Sequence, residues 1–123
     1  MKKILIVDDD KDFNSSLKEY LEYKNFDVIC AFNGKLGLSL IHTEKPDLII
    51  TDIVMPEFDG VELLDKLLSD SLPFQTRIIA VSGGGRIGGK QYLSVAEGLG
   101  ADYIFEKPLN LDDLTKAISN LLD

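Results

Sequence analysis

Five short apolar runs recur along the chain: Ile4 to Val7, Val28 to Phe32, Leu48 to Ile50, Ile78 to Val81, and Tyr103 to Phe105. They lack polar alternation, which is the pattern of strands covered on both faces in a parallel sheet. Helical periodicity fills the gaps. Phe13, Leu17, Tyr20 and Leu21 make one stripe, Leu36, Leu40 and Ile41 a second, and Val61, Leu64, Leu67 and Leu68 a third; Tyr92, Val95, Ala96 and Leu99 follow, then Leu111, Leu114, Ile118 and Leu121. The chain therefore reads as (βα) five times. Right-handed crossovers between parallel strands then dictate a single α/β doubly wound domain, a (βα)5 unit with helices on both faces of a five-stranded parallel sheet. The 123 residues suit one domain with one core, and the spacing leaves no room among them for a separate output domain, so residues 1–123 are expected to act through their own surface.

For five such units the strand order 2-1-3-4-5 of flavodoxin-like proteins is the expected doubly wound arrangement. Punctuation agrees. Asn33-Gly34 closes the second strand, Lys45-Pro46 ends the second helix, Asp59-Gly60 turns into the third, and Asn110 is placed to cap the fifth. With 13 Lys and Arg against 21 Asp and Glu, the net charge is −8, which repels phosphate backbones and argues against direct nucleic-acid binding. The lone Cys30 lies in an apolar stretch and is expected to be a buried small hydrophobe, with no disulfide possible within the chain. Met1-Lys2-Lys3 followed by Ile4 to Val7 imitates a signal peptide, but the apolar run stops at Asp8, and no other run is long enough to span a membrane. A soluble protein of a reducing cytoplasm is the expectation.

The chemistry gathers where the strands end. Asp8 and Asp9 follow the first run, and Asp52 follows Leu48-Ile49-Ile50-Thr51. If both runs are parallel strands, their carboxyl ends open on the sheet edge where ligands of open α/β folds sit. Three like charges packed together raise the pKa of at least one of them unless a cation intervenes, so the cluster calls for a divalent metal. Such a site suits chemistry at oxygen, on phosphate. Lys107-Pro108 directly follows the fifth run, so a lysine ammonium reaches the same edge, and Ser82 ends the fourth.

Other motifs read more plainly. Asp8, Asp10, Asp12 and Glu19 match four positions of a calcium-binding EF-hand loop, but Phe13 stands where the sharp-turn glycine belongs and a strand precedes. Asp10 or Asp12 is better read as a helix cap. Asp8-Asp9-Asp10 also resembles the start of an aspartate-nucleophile phosphatase, a reading that leaves Asp52 without a role. Ser82 to Lys90 contains G-x-G-x-x-G and G-x-x-x-x-G-K strings, yet the first should follow the first strand and the second should continue with Ser or Thr rather than Gln91. A flexible glycine loop is the simpler reading. His42, the one histidine, is expected on the surface.

Taken together, Val7-Asp8-Asp9, Asp52, Met55-Pro56 with Asp59-Gly60, Ser82 and Lys107-Pro108 closely resemble the receiver domains of two-component response regulators, over essentially the whole chain. The resemblance implies a cytoplasmic signalling switch, not an enzyme. Asp52 would accept a phosphoryl group from a phosphohistidine of a sensor kinase or phosphotransfer protein. Asp9 and Asp52, with the backbone carbonyl of Val54, would hold Mg²⁺, and Asp8 would order it through water. Ser82 and Lys107 would contact the phosphoryl group, as would backbone of Val54 and Gly83, and the Lys107-Pro108 bond would be cis. The signal would pass to an unidentified protein target through the loop after Ser82 and the face made by the fourth helix, fifth strand and fifth helix. Many receivers carry an aromatic residue three positions before the lysine; here it is Ile104, flanked by Tyr103 and Phe105. Side chains alternate across a strand, so neither neighbour replaces it. The glycines from Gly83 to Gly89 are expected to supply the movement instead. The alternatives are a hydrolase using Asp8 and a receiver-like module that binds partners without phosphorylation.

Overall fold

The computed structural model describes residues 1–52, 76–82 and 101–122. Its elements are β1 (Lys3–Val7), α1 (Lys11–Tyr23), β2 (Asp27–Ala31), α2 (Gly34–Glu44), β3 (Leu48–Asp52), β4 (Arg77–Ser82), β5 (Tyr103–Glu106) and a C-terminal helix (Leu111–Leu122). All strand pairs are parallel and the order is β2-β1-β3-β4-β5, the doubly wound order expected. The third and fourth helical stripes, Met55-Pro56, Asp59-Gly60 and the glycine loop lie outside the described residues.

Period-two alternation hides inside the apolar strands. Ile4, Ile6, Val28, Leu48, Ile50, Ile79 and Val81 face one layer, where Leu17 and Leu21 of α1 and Leu114, Ala117 and Ile118 of the C-terminal helix complete a core. Tyr20 Oη and Thr115 Oγ1, 2.9 Å apart, tie those two helices together over it. The opposite face receives α2, whose Gly37 sits directly on Val7. Helices thus cover both faces, as a parallel sheet requires.

Helix ends follow local chemistry. Asp10 caps α1, its carboxylate accepting from the amides of Asp12 and Phe13. Asn33 caps α2 through Leu36 N at 2.8 Å, and Asn110 caps the last helix through Asp113 N at 3.1 Å. Each such cap stabilises its helix by about 1 kcal/mol. Lys45 ends α2 in the left-handed region at φ 49° before Pro46.

Three expectations are corrected. The buried side of α2 is Gly34, Gly37 and Ile41, while Leu36 is 43% exposed. The helix approaches β1 through its glycines, which rotates the leucine outward. Cys30 is half-buried rather than buried, because β2 is an outer strand; burial still pushes its thiol pKa up, keeping it a weak nucleophile. The second strand also stops one residue early, leaving Phe32 40% exposed. His42 is exposed, as expected.

Candidate functional site

Register builds the site. Val7 lies opposite Thr51, so the residue after each, Asp8 and Asp52, stands at one level on neighbouring strands. Ser82 ends β4 opposite Glu106, and the chain turns at the next residue, Lys107, whose amide donates to Ser82 O at 2.7 Å. The Lys107-Pro108 peptide is cis. Four of the residues singled out in the sequence therefore come together at the carboxyl edge: Asp8 and Asp52 are each 1% exposed, Ser82 is 2% exposed, and Asp9 is half-buried. Val54 and Gly83 lie outside the described residues.

Lys107 reaches into this cluster. Its Nζ is 2.8 Å from Asp8 Oδ2 and 3.7 Å from Asp52 Oδ2, and its side chain is only 16% exposed. On another side the ammonium lies 4.0 Å from the centroid of the Phe13 ring. Asp8 Oδ1 accepts from Asp10 N at 2.9 Å. Burial pushes the Asp8 carboxyl above its ordinary range; Lys107 and the Asp10 amide pull it down, and the charge of Asp9 adds to the rise. Desolvation is the larger influence, so the cluster is short of positive charge.

A cation would remedy that shortage. Asp8, Asp9 and Asp52 offer carboxylate oxygens that all lie within 4.8 Å of one another. Asp9 Oδ1 is buried without a hydrogen-bond partner, the condition of a ligand atom awaiting an ion. One ammonium against three carboxylates leaves net negative charge, and an all-oxygen set with few carboxylates suits Mg²⁺ better than a soft metal. The residues present fit a magnesium ion.

Two neighbours escaped the sequence reading. Asn14 is fully buried in α1, and its Nδ2 donates to Asp8 O and Ala31 O, both at 3.2 Å, fixing the acid-bearing loop against β2. A signal existed: Asn14 is in phase with Leu17 and Leu21, a polar residue on the apolar stripe. Phe13 lies on the apolar stripe of α1, and its second contact, with Lys107, depends on a residue 94 positions away that only folding brings near.

The comparisons agree with the geometry. A family model described as the response regulator receiver domain matches residues 4–119. The transcriptional regulatory protein CrdR of Helicobacter pylori is 32% identical over 122 residues, covering 99% of this chain and 55% of that protein. The response regulator MprA of Mycolicibacterium vanbaalenii is 33% identical over 122 residues, with 98% and 50% covered. The chain thus spans about half the length of these curated relatives. The crystal structure of a signal receiver domain from Bermanella marisrubri superposes with a TM-score of 0.88 at 30% identity, with 98% of each chain covered.

Proposed function

The chain belongs to the response regulator receiver family, and from that premise we propose that it is a phosphorylation-dependent signalling switch in which Asp52 takes the phosphoryl group. The donor is a phosphohistidine on a sensor kinase or a phosphotransfer protein. A carboxylate oxygen of Asp52 attacks phosphorus in line; the P–N bond breaks, its electron pair leaves on the imidazole nitrogen, and that nitrogen takes up a proton from solvent. An ionised carboxylate needs no general base, so positioning and charge carry the reaction.

Asp8, Asp9 and Asp52 are the side chains that would hold Mg²⁺, together with the Val54 carbonyl by family likeness. Bound magnesium supplies neutralisation of the phosphoryl oxygens. Lys107, already 3.7 Å from Asp52, exchanges Asp8 for a phosphoryl oxygen, a short move for an ammonium on a flexible stem. Ser82 ends the neighbouring strand, where its hydroxyl can donate to the phosphoryl group, and by family likeness the Gly83 amide would do the same. The acyl phosphate hydrolyses in time, which makes the modification a signal rather than a product. The protein modifies its own side chain only, so it is read as a switch and not as an enzyme.

One observation carries this reading: Lys107 contacts both Asp8 and Asp52 inside one buried acidic cluster. The test is intact mass after incubation with Mg²⁺ and a small phosphodonor such as acetyl phosphate. Wild type gains one phosphoryl group and Asp52→Asn gains none. An adduct kept by Asp52→Asn and lost only in Asp8→Asn would favour a hydrolase built on Asp8, and no adduct in any sample would leave a binding module.

A further inference from the structure

The Lys107 ammonium is held on three sides: by Asp8 Oδ2 at 2.8 Å, by Asp52 Oδ2 at 3.7 Å, and by the face of Phe13, whose ring centroid is 4.0 Å away. The first two contacts are charge pairs that a phosphoryl group and a metal ion would rearrange. The third is neutral and belongs to α1, so neither a phosphoryl group nor a metal ion competes for it. A ring face attracts a cation through its quadrupole, and the attraction grows where water is excluded. With the lysine side chain 16% exposed, this contact lies toward the strong end.

Phe13 is also tied to the site through its backbone. Its amide donates to Asp10 Oδ1 at 3.1 Å, and the Asp10 amide donates to Asp8 Oδ1, so the ring and the acids share one rigid turn. The ring packs against the edge of the core on one side. Phe13, Leu17, Lys107, Pro108, Leu109 and Leu111 border a cavity of about 240 Å³, which leaves the ring open space on another. The Lys107 ammonium lies over its face.

The geometry points to Phe13 as a positioning residue for phosphoryl transfer: its ring holds the Lys107 ammonium at the acid cluster, where the incoming phosphoryl oxygens meet it. This rests on Asp52 being the phosphoacceptor. Lysine is a point charge on a flexible four-carbon stem, and a preplaced charge stabilises a transition state more than one that must be gathered during the reaction. Leucine at position 13 fills similar space without a quadrupole; tyrosine keeps the ring.

The experiment measures adduct formation with acetyl phosphate at saturating Mg²⁺ for wild type, Phe13→Leu and Phe13→Tyr, together with Mg²⁺ affinity and the proton shifts of the Lys107 ε-methylene. Ring current from Phe13 moves those protons upfield in wild type and in Phe13→Tyr, and they return to ordinary positions in Phe13→Leu. The rate in Phe13→Leu falls about two- to thirty-fold, the range that cation–π strengths span, while Phe13→Tyr restores most of it and Mg²⁺ affinity stays as in wild type. An unchanged rate in Phe13→Leu, an equal loss in Phe13→Tyr, a parallel loss of Mg²⁺ affinity, or unshifted wild-type protons would each overturn the role of Phe13. Failure of wild type to take up phosphate would instead overturn the phosphoacceptor reading, and the transfer role with it.

Discussion

Asn14 does for the backbone of the acidic turn what Lys107 does for its charge. Two donors from one buried amide hold the carbonyls of Asp8 and Ala31, and the Asp8 amide returns to Ala31 O at 3.0 Å. Replacing Asn14 by Ala leaves Asp8 O without this donor in a dry setting and opens a small cavity. Chemical denaturation should show a loss of about 2–4 kcal/mol, from two hydrogen bonds at roughly 1 kcal/mol each plus the desolvation cost of the stranded groups. Mg²⁺ affinity should fall as well, since the loop carrying Asp8 and Asp9 loses its tie to β2; calorimetric titration checks this. Exposed pairs differ in kind. Lys18–Glu22, about half exposed on the surface of α1, contributes only a few tenths of a kcal/mol.

At the scale of elements, the contact between α2 and β1 turns on Gly37. A Cβ there would stand 2.9 Å from Val7 Cγ2 and 3.1 Å from Cγ1. Val7 is a buried, β-branched strand residue with no freedom to yield. Gly37→Ala gains close to 1 kcal/mol of helix propensity, but overpacking costs about 1–3 kcal/mol. We expect net destabilisation of about 1 kcal/mol, read as a lower denaturation midpoint at unchanged m-value. The same element scale explains how the sheet begins. Asp47 Oδ2 accepts from Lys3 N and Asp102 Oδ2 from Ile78 N, both at 2.8 Å, so an aspartate at the foot of one strand satisfies the first amides of its neighbour. On β5, Tyr103 and Phe105 stack with centroids 6.3 Å apart and pack on the core beneath the C-terminal helix. Ile104, between them, points to the opposite face of the sheet.

For the molecule as a whole, the acidic edge sets a link between ion binding and stability. Burying Asp8 and Asp52 beside Asp9 costs folding free energy that Lys107 offsets only in part. An ion that binds the folded state alone stabilises it by about 2.7 kcal/mol at a hundred times its Kd. Thermal melts in rising Mg²⁺ should therefore shift upward by several degrees, and Asp9→Asn should flatten the titration. A melting temperature indifferent to Mg²⁺ would remove the metal site. No described helix is long and apolar enough to cross a membrane.

Local periodicity is written in neighbouring residues, which is why the sequence alone revealed the five strands, the order of their units, the caps at Asp10 and Asn110, and the carboxylates waiting at the strand ends. Backbone geometry converts those patterns into elements without help from distant residues. Tertiary structure decided the rest: that α2 approaches through Gly37 rather than Leu36, that the outer strand leaves Cys30 half-open, that Asn14 faces inward to hold Asp8, and that Phe13 meets Lys107. Each of these depends on distance between groups far apart in the chain. Periodicity says which face of an element is buried, and only packing says what that face touches.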